Sequence, residues 1–190
     1  MWEIIGPGIL MLRARTGVGR ICNSYLVDGI LIEPCSYGYG EGPSWVEWIE
    51  SKNRPPVTAV FLSHPHGDHV RSLRHIAERL KLPVRGPACK YVDAPIQAGE
   101  ILNGWKVLHA PGHHPQMLCL LKDNVLIAGD AAGGDGWPVL IKPSAGGDID
   151  DHRNSCSRFA SMPLDLVLPA HGDLFTNARD YFQKESLRVS

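Results

Sequence analysis

The residues with the clearest capacity for chemistry lie in one short stretch, residues 63–69, which reads Ser-His-Pro-His-Gly-Asp-His. His64 and His66 are two residues apart, so on an extended backbone, which the proline between them favours, both imidazoles leave from the same side. The glycine that follows permits a sharp turn, which can bring Asp68 and His69 round to face the same point. Three imidazoles and one carboxylate at this density predict a metal site.

Three further candidate ligands stand in a similar setting. His113, Asp130 and His171 each follow an apolar run and lie next to a glycine. A single His or Asp in such a turn is usually a satisfied polar group. Several strand ends that each deliver His or Asp instead predict a site that loops assemble at one edge of a sheet.

The elements that position these residues are predicted from hydrophobic periodicity. The uncharged run 57–62 reads as a buried strand that leads into the histidine-rich stretch, and a helix is predicted over 70–81 with His75 on its exposed face. Other strands are predicted at 9–13, 21–27, 30–32, 84–86, 105–109, 117–121, 125–128 and 164–168. Other helices are predicted at 44–52, 148–161 and 177–184.

Length and charge narrow the class of protein. The 190 residues, 44% of them hydrophobic, predict one globular domain over residues 1–190. Nineteen basic and twenty acidic residues give a net charge of −1, with no long run of one sign, so neither nucleic acid nor an anionic membrane is expected as a partner. We expect a small-molecule substrate.

The same sequence predicts a cytoplasmic protein. No segment approaches the apolar length of a membrane span, and the N-terminus has an early acid and no basic region, so no secretory signal is expected. The five cysteines are widely spaced and include no C-x-x-C pair. We therefore expect free thiols and neither a disulfide framework nor a thiolate metal site.

The chain resembles the metallo-β-lactamase superfamily, most closely its minimal, glyoxalase II-like hydrolase branch. The resemblance rests on four motifs in order, His64-x-His66-x-Asp68-His69, Pro111-Gly112-His113, Gly129-Asp130 and His171-Gly172. It implies an α/β (α+β) fold, a four-layer αββα sandwich with the metal site at one edge of the two sheets.

The resemblance also implies a ligand set and a reaction. His64, His66 and His113 would hold one divalent metal ion, Asp68, His69 and His171 a second, and Asp130 would bridge them. The ions would be zinc, with iron or manganese as alternatives, because imidazoles and carboxylates do not decide between these metals. A metal-bridged hydroxide would attack the substrate, and Asp68 would be catalytic by orienting it and taking up its proton.

Two departures from the family pattern are visible. Glu33 stands where the family usually has Asp, and Ala170 replaces a common glycine; neither residue is expected to contact a ligand. The sequence ends soon after His171, and it lacks the helical domain that holds glutathione in glyoxalase II enzymes. A glutathione thioester is therefore not the expected substrate.

Residues that contact the substrate are harder to predict. The loop with Tyr37 and Tyr39 and the long Gly/Pro-rich loop 131–147, with Trp137 and Lys142, can both cover the metals. Tyr37, Trp137 and Lys142 are therefore candidate substrate-binding residues, although a surface lysine is usually solvated. His114 and His152 are either supporting residues of the site or plain surface residues.

Three functions compete. The first is a dinuclear metal hydrolase of a small ester, thioester or lactone. The second is a mononuclear non-haem iron persulfide dioxygenase, because that class shares the fold and the H-x-H-x-D-H motif. The third is a metal-binding module without catalysis. We favour the hydrolase because seven positions carry competent ligands, and the metal content per chain is the measurement that best separates the three.

Overall fold

The computed structural model describes residues 2–6, 8–15, 21–34, 49–50, 56–134 and 139–188. The chain divides into two compact units, Met1–Ile96 and Gln97–Ser190, and each unit has its own sheet and helices. The prediction of a single domain over residues 1–190 stays a prediction.

The first unit contains a seven-stranded mixed sheet whose strands lie in sequence order. The strands are β1 (Trp2–Gly6), β2 (Ile9–Arg15), β3 (Ile21–Val27), β4 (Ile30–Ile32), β5 (Ala59–Phe61), β6 (Val84–Gly86) and β7 (Ala94–Pro95). Neighbours from β1 to β4 pair antiparallel, and neighbours from β4 to β7 pair parallel. Asp28 and Gly29 turn between β3 and β4 with φ of 44° and 77°, which confirms the predicted hairpin.

Two helices follow β5, α1 (Gly67–Val70) and α2 (Leu73–Leu80). The single helix predicted over 70–81 is wrong in this respect. Leu73 and Ile76 are fully buried on one face of α2, and this apolar spacing is the signal that periodicity detects. The short α1 has polar residues and no apolar stripe, so hydrophobic periodicity does not predict it. His75 is exposed, as predicted.

The second unit contains a five-stranded sheet in the order β12-β11-β10-β9-β8. Its strands are β8 (Ile101–Leu102), β9 (Trp105–His109), β10 (Leu118–Lys122), β11 (Val125–Gly129) and β12 (Leu166–Pro169). A 3₁₀ turn (Pro143–Ala145) and two helices, α3 (Ile149–Ala160) and α4 (Ala178–Ser186), complete it. Phe159 of α3 and Phe182 of α4 are buried with ring centroids 5.1 Å apart in the core of this unit.

Strand direction decides which loops meet at the edge of the second sheet. β11 pairs parallel to β12, and β10 pairs antiparallel to both β11 and β9. Because two antiparallel steps restore the original direction, β9, β11 and β12 all run the same way. Their carboxyl ends therefore lie along one edge, and a predicted ligand follows each of them.

Two further expectations can be compared with the structure. Cys22 is disulfide-bonded, so the expectation of free thiols throughout is wrong. Cys89, Cys119 and Cys156 are not part of a disulfide. In the described part of the chain, no helix has the length and apolar character needed to cross a bilayer.

Candidate metal centre

In the first unit, the stretch after β5 brings three histidines together. His64 Nε2 lies 3.0 Å from His66 Nδ1, and the ring centroids of His64 and His69 are 4.2 Å apart. The fourth predicted donor, Asp68, has Oδ1 3.9 Å from His69 Nε2. His64 and His69 are fully buried, whereas 42% of the Asp68 side chain is exposed.

Glu33 orients one of these histidines, contrary to the prediction that it contacts no ligand. Its Oε2 accepts a hydrogen bond from His69 Nδ1, and its Oε1 accepts one from the backbone N–H of Ser63 at 2.7 Å. The parallel pairing of β4 and β5 explains this contact, because Glu33 and Ser63 follow strand ends on the same edge. The prediction failed because it was based on sequence position alone, and a glutamate is long enough to reach the ring.

In the second unit, Asp130 lies between two histidines. Its Oδ2 is 3.4 Å from His113 Nε2, and its Oδ1 is 3.6 Å from His171 Nε2. All three residues are largely buried. The loops after β9, β11 and β12 thus bring together the three ligands that the sequence predicts for this half of the chain.

Backbone contacts hold these loops. Gly134 donates its N–H to the carbonyl of His171 at 2.9 Å, so the loop after Asp130 is tied to the loop after β12. A Cβ on Gly134 would lie 2.1 Å from backbone atoms of Asp173. Only glycine permits so close an approach of two chains.

The loop that carries His113 is held in the same way by α3. A Cβ on Gly112, whose φ is +142°, would lie 2.4 Å from His152 Cα. The Ser155 hydroxyl donates to the carbonyl of Pro111 at 2.8 Å. The helix therefore packs directly against the backbone on the N-terminal side of the candidate ligand.

His152 is not the surface residue that was one of the two alternatives for it. It is buried, its Nε2 lies 3.2 Å from Glu185 Oε2, and it lies 3.5 Å from the Cys156 thiol. Burial raises the pKa of Cys156 to about 12, so this thiol stays protonated at neutral pH and is no thiolate ligand. The other uncertain histidine, His114, is half-buried and accepts from the N–H of Gln116 at 3.1 Å.

The donor chemistry of both sets fits divalent metal ions. His113 Nδ1 donates to the carbonyl of Leu140 at 2.7 Å, so in the neutral ring Nε2 presents its lone pair toward the Asp130 carboxylate. In the first unit, Ser63 Oγ lies 3.0 Å from His64 Nδ1 and fixes that ring beside His66. Lone pairs and a carboxylate that face one another repel, and a divalent cation between them would remove this repulsion by coordinating them.

The predicted substrate-binding residues are only partly described. Tyr37, Tyr39 and Trp137 lie outside the described residues. Lys142 is exposed, and its backbone carbonyl accepts from Ala145 and Gly147, each at 2.9 Å. Its assignment to substrate binding stays a prediction.

Comparison with known proteins bears on both units. A family model of the metallo-beta-lactamase superfamily matches residues 17–92 and 86–171. The chain is 34% identical over 117 residues to a hydroxyacylglutathione hydrolase from Halorhodospira halophila, covering 57% of this chain and 44% of that relative. It is 26% identical over 189 residues to an atrochrysone carboxyl ACP thioesterase from Emericella nidulans, covering 92% of this chain and 59% of that relative. The chain thus spans about half the length of the curated relatives it matches.

A solved structure shows the same fold. The crystal structure of TTHA1623 in a di-iron-bound form has a TM-score of 0.68 to this chain at 23% identity, over 95% of this chain and 96% of that one. The α/β class and the fold type predicted from the sequence are therefore confirmed.

Proposed function

The chain belongs to the metallo-β-lactamase superfamily, and from that premise we propose that it is a metal-dependent hydrolase that cleaves a small thioester with two zinc ions. The position of Asp130 carries the proposal. It turns Oδ2 toward His113 at 3.4 Å and Oδ1 toward His171 at 3.6 Å. A carboxylate that offers one oxygen to each of two histidines is suited to bridge two ions.

The ligand assignment is the one that the resemblance to the family implies. It gives one ion His64, His66 and His113, the other Asp68, His69 and His171, and lets both ions share Asp130. Two arguments support it. The family match covers all seven donors, and seven donors exceed what one tetrahedral ion can use.

The proposed chemistry divides between the ions and the protein. When bound, two such ions lower the pKa of water toward about 7 and polarise a substrate carbonyl. Asp68, the exposed donor of the first unit, takes the proton of the attacking water. A thiol has a pKa of about 8.5, so its thiolate leaves without a separate acid, and Asp68 alone can serve the proton transfers.

The thioester is the preferred substrate class for one reason. The relative that matches 92% of this chain is named a thioesterase, whereas the donor set itself does not separate thioesters from oxygen esters or lactones. Iron is the alternative to zinc, because one solved structural relative, TTHA1623, was crystallised in a di-iron-bound form.

The test begins with protein purified without chelator or added metal. Metal is measured by elemental analysis, and hydrolysis is measured on an acyl thioester, the matched oxygen ester and a lactone. We expect Asp130→Ala to lose metal from both positions and to lower hydrolysis at least about a hundredfold, since even a lost supporting residue costs 10–100-fold. His75→Ala is the matched control, because His75 is exposed on α2.

Specific results would overturn this proposal. Two ions retained by Asp130→Ala would remove that residue from the shared position. Faster cleavage of the oxygen ester or the lactone than of the thioester would show that the thioester is not the preferred substrate class. Oxygen consumption with glutathione persulfide by the iron-loaded protein, without hydrolysis by the zinc-loaded protein, would establish the dioxygenase.

A further inference from the structure

The segment Val139–Asp148 holds the His113 loop at two points. The carbonyl of Leu140 accepts a hydrogen bond from His113 Nδ1 at 2.7 Å. The N–H of Asp148 donates to the carbonyl of Gly112 at 2.7 Å. Both the ring of the candidate ligand and the backbone just before it therefore depend on where this segment lies.

The Asp148 end of the segment is fixed by local structure. The Asp148 side chain caps α3 by accepting from the N–H groups of Asp150 and Asp151, each at 2.9 Å. The preceding turn is closed because Gly147 donates to the carbonyl of Lys142, and a Cβ on Gly147 would lie 2.6 Å from Lys142 N. This end needs no support from elsewhere.

The Val139 end is held by an arginine just beyond α4. Arg188 donates from a guanidinium nitrogen to the carbonyl of Val139 at 2.7 Å. The same nitrogen lies 3.3 Å from Glu185 Oε2, and Arg153 donates to the backbone carbonyl of Arg188 at 2.7 Å. Contacts from α3 and α4 therefore place the guanidinium, and the guanidinium places the residue next to Leu140.

The Leu140 carbonyl decides which nitrogen of His113 can bind a metal. A ring that donates from Nδ1 must keep its proton there, which leaves the lone pair on Nε2, the atom that lies 3.4 Å from Asp130. If the carbonyl moves away, the tautomer with the proton on Nε2 becomes more populated. Metal binding must then return that proton to Nδ1, which lowers the affinity of His113 for the metal.

We propose that Arg188 is a positioning residue for the metal site, because it fixes the Val139–Leu140 backbone and thereby the ring orientation and tautomer of His113. This inference rests on the proposed function, in which His113 is a ligand. The Val139 side chain is buried and shares the anchoring, so the loss of Arg188 weakens the segment without releasing it. We expect zinc to be held about tenfold less tightly, the low end of the cost of removing a ligand's supporting partner.

The experiment uses the full zinc-loaded chain and two variants without the guanidinium, Arg188→Met and Arg188→Gln, so that at least one folded variant is in hand. Arg188→Lys retains a donor that can reach one carbonyl, and we expect it to recover most of the affinity. Arg179→Ala is the matched control, because Arg179 is an exposed arginine of α4. Zinc retention is measured against a competing chelator, and thermal unfolding is recorded for every variant.

A second readout reports His113 directly. Long-range ¹H–¹⁵N spectra of the histidine rings, recorded after the zinc has been removed and assigned with a His113→Ala variant, show which ring nitrogen carries the proton. We expect Nδ1–H in the wild type and the Arg179 control, and mixed or exchange-broadened signals in Arg188→Met. A general loss of packing would lower the unfolding temperature without selecting this ring.

The outcomes separate the two proposals. Wild-type zinc retention and an unchanged His113 tautomer in both Arg188 variants would overturn the positioning role while leaving the proposed function intact. No zinc bound by the wild type would overturn the proposed function, and the metal role of Arg188 with it.

Discussion

The two halves of the donor set are built in different ways. In the first unit the donors His64, His66, Asp68 and His69 come from six consecutive residues, and a buried side chain, Glu33, orients one of them. In the second unit three donors come from three separate loops. These loops are held by backbone hydrogen bonds and by close approaches that require glycine.

The first donor set is thus contiguous in sequence, whereas the second is assembled from distant parts of the sequence. A contiguous set gains its geometry from one turn and one strand end, so a single supporting side chain can control a ligand. A set spread over three loops gains its geometry from the common direction of β9, β11 and β12, and its support is shared among many contacts. We therefore expect single side-chain changes around the first set to cost more than comparable changes around the second.

Apart from the loss of Asp130, the largest effect is expected at Asp68, the donor whose side chain is 42% exposed. Asp130 of the second unit is only 13% exposed, so the accessible carboxylate for proton transfer belongs to the first unit. Asp68→Asn keeps the size of the side chain and removes its basicity, and we expect kcat to fall at least about a hundredfold. Single-turnover kinetics and zinc content check this, and near-normal kcat at full occupancy would exclude the assignment.

The second effect is expected at Glu33. Glu33→Gln keeps the shape, but the amide oxygen must face the N–H of Ser63, because Ser63 N donates to Oε1 at 2.7 Å. The amide NH₂ then faces His69 Nδ1 and forces the ring proton onto Nε2, the nitrogen that a metal would need. We expect zinc affinity at the His69 position to fall about 10- to 100-fold.

Cobalt-loaded protein measures this effect through its visible absorption. A loss confined to one of two spectroscopic sites is the expected result, and an exposed substitution such as His75→Ala serves as the control. If Glu33→Gln binds two cobalt ions as tightly as the wild type, the first set is not controlled by this side chain, and the contrast between the two units fails.

The sequence predicts these two sets unequally. The spacing of residues 63–69 alone predicts a metal site. The predicted bounds of several strands, β3, β4, β6 and β9 among them, are those of the structure. The role of Glu33 escapes prediction because it depends on the parallel pairing of β4 and β5, which brings together residues thirty apart. The support from α3 and α4 escapes it too, since His152 reads from spacing as a surface residue or a neighbour of the ligands, and its partner Glu185 is 33 residues away.

The smallest effect is expected in the polar network between α3 and α4, which supports the second set only indirectly. The hydrogen bond from His152 lowers the pKa of Glu185, and Arg188 contributes to the same shift. The neighbouring Cys156 and Tyr181 are buried, and burial raises the pKa of both. Because the pKa of Glu185 is lower in the folded state, its stabilisation is fully present above the ordinary glutamate pKa of about 4.3 and is lost as pH falls through the lower folded value. Glu185→Gln removes this dependence on pH. At neutral pH we expect the wild type to be more stable than the variant by no more than about 1.5 kcal/mol of unfolding free energy. This difference should become smaller below pH ~4, where the wild-type carboxylate is protonated. Thermal unfolding between pH 3 and 7 measures it, and a constant difference over that range would mean that the network contributes packing alone.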